Sequence, residues 1–170
     1  PTRLATYQFE DSNVHATISD YAAGLRSGAL LLHGPNGTGK STIARLIAKE
    51  LMMPNSVNEC WLTIVEGQAR DVAKQIDSLN GGMRWQKSEG VVVPVGIINE
   101  ADLLPIELQY RLRALVESFA CTLVLTCNQP EQITSKLYSR CHILRVNAPS
   151  PQQWLSQAQR ILRQEGVTQP

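Results

Sequence analysis

The chain has 170 residues, a length that accommodates one α/β domain and a short appendage but not two full domains. Sixteen Lys and Arg residues and fifteen Asp and Glu residues give a net charge of +1. The net charge therefore gives no indication of a nucleic-acid or membrane partner. The longest nearly uninterrupted apolar stretch, residues 91–98, is far shorter than the roughly 20 residues that a membrane helix needs. The four cysteines form no C-x-x-C pair, which argues against a zinc knuckle. We therefore expect a soluble, cytoplasmic protein with reduced thiols.

Strand-like and helix-like segments alternate along the chain. Short apolar runs predict five strands, at residues 29–33, 61–65, 91–98, 122–126 and 142–146. Apolar residues spaced three and four apart predict helices between them, at residues 40–53, 69–79 and 106–119. Strands separated by helices imply an α/β fold with a five-stranded parallel sheet and helices on both faces. A further amphipathic helix is predicted at residues 154–165, so we expect an α/β domain over residues 1–149 and a second, truncated unit over residues 150–170.

The loop after the first predicted strand carries the strongest motif. Residues 34–41 read Gly34, Pro35, Asn36, Gly37, Thr38, Gly39, Lys40, Ser41 and satisfy G-x-x-x-x-G-K-[ST], followed by Thr42. A strand before and a helix after this motif are the context of a phosphate-binding loop, in which glycines turn backbone N–H groups toward an anion. Lys40 would bind the β and γ phosphates and the hydroxyl of Ser41 would ligate Mg²⁺. The motif predicts a P-loop NTPase that binds ATP.

A second apolar strand ends in acidic residues. By position, Asn99 would hold a Mg²⁺-bound water and Glu100 would polarise the attacking water. Asn99 keeps one acceptor oxygen of an aspartate and loses its charge, so the sequence supports hydrolysis less firmly than binding. The alternative is that Glu100 and Asp102 only cap the start of the next helix.

With these residues in view, the chain resembles the AAA+ ATPases and most closely their clamp-loader group, such as the DNA polymerase III gamma and delta-prime subunits or the replication factor C small subunits. The resemblance is carried by GPNGTGKS at 34–41, IINEADLL at 97–104, LVLTCNQPEQI at 123–133 and LYSRCHILRV at 137–146. It implies that Asn128 is the sensor that orients the hydrolytic water. It also implies that Arg140 acts in trans as an arginine finger on a neighbouring subunit's nucleotide, and that residues 150–170 begin a helical lid. The alternatives are an Asx turn at Asn128 and a surface salt bridge at Arg140.

The resemblance also implies partners: other AAA+ subunits, DNA and a sliding clamp. Clamp loaders contact DNA phosphates with the start of the helix after the second strand, which places Gln68, Arg70 and Lys74 as candidate DNA contacts. A solvated helix face is the alternative for these three residues. The sequence thus predicts an ATP-driven subunit that assembles with neighbouring subunits on DNA, in a clamp-loader-like complex or in a replication or mobile-element remodelling complex. The alternative function is a nucleotide-binding scaffold with little or no hydrolysis, because of Asn99. A peptide-remodelling ATPase is disfavoured, since residues 66–68 carry no aromatic pore dipeptide.

Overall fold

The computed structural model of the chain describes residues 4, 7, 9, 11–52, 62–65, 71–77, 95–118, 122–148, 150–152, 155, 158, 159 and 162. Within them the strands are β1 (Gly28–His33), β2 (Leu62–Val65), β3 (Val95–Ile98), β4 (Thr122–Cys127) and β5 (Cys141–Arg145). The helices are α1 (Ser12–Ala22), α2 (Lys40–Met52), α3 (residues 71–77), α4 (Ile106–Ser118) and α5 (Ser135–Tyr138). No helix of this part of the chain is both long enough and apolar enough to cross a membrane.

The strands form one sheet in the order β2-β3-β4-β1-β5, and every neighbouring pair is parallel. All residues of β3 and β4 are buried, which is typical of interior strands of a parallel sheet covered on both faces. The predicted parallel α/β architecture is confirmed.

Side chains that alternate along the strands separate two apolar layers. Leu31 of β1 packs in a core with side chains of α3 and α4, whereas Leu30 and Leu32 pack in a core with side chains of α1 and α2. This follows from the two-residue period of a strand, which sends successive side chains to opposite faces. Helices therefore cover both faces of the sheet, as the sequence predicted.

Helix α1 was not among the predicted elements. Asp11 caps it, because the Asp11 carboxylate accepts a hydrogen bond from the N–H of Asn13 at 2.8 Å. Ile18 and Tyr21 are buried against the face of the sheet that α2 covers. The cap and the apolar residues on one helix face were visible in the sequence, and the short helix α5 was also missed.

The predicted lid falls largely outside the described residues. Residues 151, 152, 155, 158, 159 and 162 are helical, in agreement with a helix there. The division into units 1–149 and 150–170 stays a prediction.

Candidate nucleotide-binding site

The loop between β1 and α2 holds the predicted phosphate-binding residues. Gly34 has φ +151°, and a Cβ at this position would overlap the carbonyl oxygen of Val146. Gly39 has φ +87°, and a Cβ there would overlap the Tyr7 hydroxyl, which donates a hydrogen bond to the Thr38 carbonyl at 2.8 Å. Only glycine fits either position without strain or displacement of a neighbour.

Lys40 lies at the base of this loop with 7% of its surface exposed. Its Nζ donates hydrogen bonds to the carbonyls of Gly34 at 2.8 Å and Pro35 at 2.7 Å. Burial lowers the pKa of Lys40, and the nearby Cys127, Asp102 and Glu100 oppose that shift. Both hydrogen-bond acceptors are neutral carbonyls, so a phosphate group would supply the opposite charge that a buried ammonium needs.

The N-terminus of α2 adds further donors. The N–H of Ile43 bonds to the Gly39 carbonyl at 2.9 Å, so the N–H groups of Lys40, Ser41 and Thr42 precede the first intrahelical bond. The positive end of the helix dipole and these N–H groups make a site suited to an anion. The residues present therefore fit a nucleotide triphosphate.

The opposite wall of the site comes from the carboxyl ends of β3 and β4. A cavity of about 360 Å³ separates the loop from this wall. Its lining residues are Asn36, Gly37, Gly39, Lys40, Ser41, Thr42, Glu100, Thr126, Cys127 and Asn128. A crevice outside the carboxyl ends of parallel strands is the usual ligand site of such sheets.

Strand register explains how the acidic turn meets β4. Because Ile98 pairs with Leu125, the next residue along β3, Asn99, lies across from Thr126. The Thr126 hydroxyl donates to Asn99 Oδ1 at 3.4 Å and accepts from the Glu100 N–H at 3.1 Å. Glu100 has φ +52°, a conformation that is uncommon for a residue with a Cβ.

The structure thus brings most of the predicted site residues together. Glu100 and Asn128 line the same cavity as Lys40 and Ser41. The Glu100 side chain makes no capping hydrogen bond to the turn that follows it, so a capping carboxylate does not describe this residue. Asn99 does not line this cavity, but it accepts a hydrogen bond from Thr126, which does.

Other predicted residues lie elsewhere. Arg140 forms an ion pair with Glu117, so the contact of the salt-bridge alternative is present. Lys74 is exposed on α3, whereas Gln68 and Arg70 lie outside the described residues. In the described part of the chain no group of three or more His, Cys, Asp and Glu residues is placed to hold a metal ion.

Sequence reasoning missed the contacts that three residues make near the site. Tyr7 contacts the phosphate loop from the N-terminal segment, and Thr126 links Asn99 to Glu100. Asp102 accepts hydrogen bonds from the turn that carries Asn128. Nothing local in the sequence distinguishes Tyr7 or Thr126, because their contacts join segments that are far apart in the chain.

A second, smaller cavity of about 250 Å³ lies between the N-terminal segment and the end of β5. Its lining includes Tyr7, Phe9 and Asn147, and the two rings pack with their centroids 4.7 Å apart. Tyr7 lines this cavity and also contacts the phosphate loop, through its hydrogen bond to the Thr38 carbonyl.

Comparison with known proteins agrees with this geometry. Residues 30–147 match the family model "ATPase family associated with various cellular activities (AAA)". The chain belongs to the AAA ATPase family. It is 27% identical to a replication factor C small subunit of Methanoregula boonei, over 97% of this chain and 51% of that protein. It is 26% identical to replication factor C subunit 3 of Arabidopsis thaliana, over 83% of this chain and 49% of that protein.

Among solved structures, the AAA fold is shared with domain III of the Thermotoga maritima replication initiation protein DnaA, with a TM-score of 0.71 and 17% identity over 99% of this chain and 76% of that one. A Thermotoga maritima RuvB structure gives a TM-score of 0.71 and 21% identity over 98% of this chain and 54% of that one. The predicted resemblance to clamp-loader-like AAA+ proteins is confirmed by the replication factor C relatives. The chain spans about half the length of the curated relatives that it matches.

Proposed function

We propose that this AAA chain binds ATP, hydrolyses it together with a neighbouring AAA+ subunit, and works on DNA in a clamp-loader-like assembly in the cytoplasm. The observation that carries the proposal is the convergence of Lys40 and Ser41 with Glu100 and Asn128 on one cavity. These are the four groups that phosphate binding, metal binding and water activation require.

Each residue has a role that its position supports. Lys40 and the first N–H groups of α2 bind the β and γ phosphates, and Glu100 acts as the general base for the attacking water. Asn128 orients that water across the cavity. The neighbouring subunit's copy of Arg140 stabilises the charge that gathers on the γ phosphate.

A magnesium ion fits the site only together with nucleotide phosphates. Ser41 supplies a hydroxyl ligand, and Asn99 would hold a metal-bound water with its side-chain oxygen. When bound, Mg²⁺ neutralises charge on the phosphate oxygens. Because Asn99 is neutral, the chain contributes no carboxylate at that position, and we expect weaker magnesium binding than with aspartate.

The second cavity suits the nucleoside. The rings of Tyr7 and Phe9 offer an aromatic surface for a base. Asn147 offers its amide N–H groups as donors, while its Oδ1 accepts from Arg145 at 3.1 Å. A nucleotide that spans both cavities would place its phosphates in the loop. We expect Phe9→Ala to weaken ATP binding more than it weakens binding of inorganic triphosphate, which lacks the base.

The relatives support a role in DNA replication, since they are named replication factor C subunits. Lys74, exposed on α3, is a DNA contact in this proposal, together with Gln68 and Arg70. A partner protein, in this proposal a sliding clamp, has a candidate surface: Leu103, Ile106 and Tyr110 are 67%, 56% and 45% exposed around the start of α4.

The experiment that tests the proposal is steady-state phosphate release by the full-length protein, with and without primer-template DNA. We expect DNA-stimulated turnover that Glu100→Gln lowers by about 10²- to 10⁴-fold while ATP binding persists. We expect Asn99→Asp to lower the Mg²⁺ concentration that gives half-maximal rate. Glu107→Gln, the same substitution at an exposed glutamate of α4, serves as the control and should leave the rate unchanged.

The second candidate function is a scaffold that holds ATP without turnover, and the neutral Asn99 is the observation that favours it. A silent wild type whose Asn99→Asp variant hydrolyses ATP would establish this scaffold and contradict the proposed hydrolysis.

A further inference from the structure

Asp102 is a buried acid next to the site. It lies in the short 3-10 turn Ala101–Leu103 that follows Glu100, and only 6% of its surface is exposed. Its Oδ2 accepts the backbone N–H groups of Asn128 and Gln129, each at 2.9 Å. A carboxylate from the end of β3 thereby holds the turn at the end of β4.

The second oxygen of this carboxylate is not satisfied in the same way. Oδ1 is buried and has no hydrogen-bond partner among the described residues. Burying a carboxylate with one oxygen unpaired is unfavourable for folding, and an apolar side chain would avoid that cost. The two hydrogen bonds from the 128–129 turn offset part of that cost, and an apolar side chain could not accept them.

We infer that Asp102 is a positioning residue that fixes Asn128 relative to Glu100, an inference that rests on the proposed hydrolysis of ATP. Glu100 and Asp102 share one turn, closed by a bond from the Leu103 N–H to the Glu100 carbonyl at 2.9 Å. The Glu100 N–H bonds back to Thr126 on β4. Hydrogen bonds from each segment to the other therefore connect the turn of the general base with the end of β4 that carries the sensor. They set the distance between Glu100 and Asn128 before nucleotide binds.

Gln109 provides a matched comparison on the same segment. It is 1% exposed, and its side chain bonds to the carbonyls of Leu104 and Gln132, each at 3.1 Å, and to the N–H of Thr134 at 2.7 Å. Gln109 thus braces the far end of the segment after β4 without bonding to Asn128. Substitution of Gln109 therefore tests the effect of a general loss of stability in this segment, whereas substitution of Asp102 tests the effect of displacing Asn128.

The kinetic test uses the full-length protein in its assembled form. We expect Asp102→Ala to lower kcat about tenfold or more, with KM and the Kd for ATP changed less than about threefold. Asp102→Asn retains an oxygen that accepts both N–H bonds, so it should recover kcat to within about threefold of wild type. Gln109→Ala should lower the Tm while kcat stays within about threefold of wild type.

The second readout does not depend on turnover. Nucleotide binding should shift the side-chain amide signal of Asn128 in NMR spectra of wild type and Asp102→Asn, and should not shift it in Asp102→Ala. The inference would be overturned if Asp102→Ala had the wild-type kcat and its Asn128 signal shifted with nucleotide as in wild type. Equal losses of kcat in Asp102→Ala and Gln109→Ala would also overturn it. A wild type that binds ATP without hydrolysing it overturns only the proposed hydrolysis, because the Asn128 signal still decides whether Asp102 positions the sensor.

Discussion

Arg140 forms an ion pair with Glu117 and so connects the residue before β5 to the last turn of α4. The Arg140 guanidinium also donates to the Lys136 carbonyl at 2.7 Å, and Arg113 donates to the same Glu117 oxygen at 3.1 Å. The hydrogen bond from Arg113, which is the larger cause, and that from Arg140 hold the pKa of Glu117 below its ordinary value. The proposed finger is thus held, partly exposed, at the surface of its own subunit.

The first prediction concerns this arginine in trans. We expect Arg140→Ala and Lys40→Ala each to abolish ATP turnover by the assembled protein, because an arginine finger contributes about 10³- to 10⁵-fold in rate. Mixing the two variants should restore part of the activity, since some interfaces then combine an intact loop with an intact arginine. Phosphate release from the mixture measures this directly.

Arg113→Ala is the matched control, because Arg113 bonds to the same carboxylate from within α4. It should turn over ATP close to the wild-type rate. A mixture of Arg140→Ala and Lys40→Ala that stays inactive would show that Arg140 does not act across a subunit interface.

A second prediction concerns nucleotide binding by the buried lysine. Lys40→Ala removes a cation whose hydrogen-bond acceptors in the chain are two neutral carbonyls. Because a hydrogen bond to a charged group contributes about 1.5–3 kcal/mol, we expect the Kd for ATP to rise by about tenfold or more. Lys49→Ala, an exposed lysine at the other end of α2, should bind ATP like wild type. Titration with a fluorescent ATP analogue checks both, and equal affinity in the two variants would contradict the role of Lys40.

A third prediction concerns the hydroxyl that joins β3 to β4. Thr126→Val keeps the shape of the side chain and leaves the Glu100 N–H without its acceptor, so we expect a loss of about 1–3 kcal/mol in the free energy of unfolding and slower ATP turnover. Thr122→Val, equally buried at the opposite end of β4, is the control for removing a hydroxyl from this strand. Urea unfolding and phosphate release measure the two effects. If Thr126→Val turned over ATP as fast as Thr122→Val, the link to Glu100 would have no part in catalysis.

A fourth prediction concerns two thiols. Burial, as the largest cause, raises the pKa of Cys127 to about 12 and that of Cys141 to about 12. A raised pKa in the folded state stabilises the protein below the unfolded value of 9.0, and this contribution is lost as the pH rises from there toward 12. We therefore expect the free energy of unfolding to fall over that range.

The same shift predicts slow alkylation of the folded protein. At about pH 8 iodoacetamide should modify Cys127 and Cys141 only after unfolding in urea, because the thiolate is the reactive form. Peptide mapping distinguishes these two residues from Cys60 and Cys121. Rapid labelling of Cys127 in the folded state would contradict the raised pKa.

Several parts of the structure could be predicted from local pattern alone. The phosphate loop from Gly34 to Ser41 is a contiguous motif, and its glycines, lysine and hydroxyl have their functions because of their order in the chain. The strand ends at Glu100 and Asn128 were predicted because a buried parallel strand is a continuous apolar run that stops where the chain reaches the sheet edge. Helix α1 was missed although its cap, Asp11, and its buried Ile18 were both readable.

The sequence by itself determined the family, the phosphate loop and the carboxyl ends of the strands that face it. Only the tertiary structure decided that Asp102 bonds to the turn of Asn128, that Thr126 links Asn99 to Glu100, and that Glu117 holds Arg140. The physical reason is the separation of the contacting residues along the chain. A motif and a strand arise from neighbours in the chain, whereas each of these contacts joins residues 23 to 27 positions apart. Their meeting depends on the order β2-β3-β4-β1-β5 and on the register between β3 and β4.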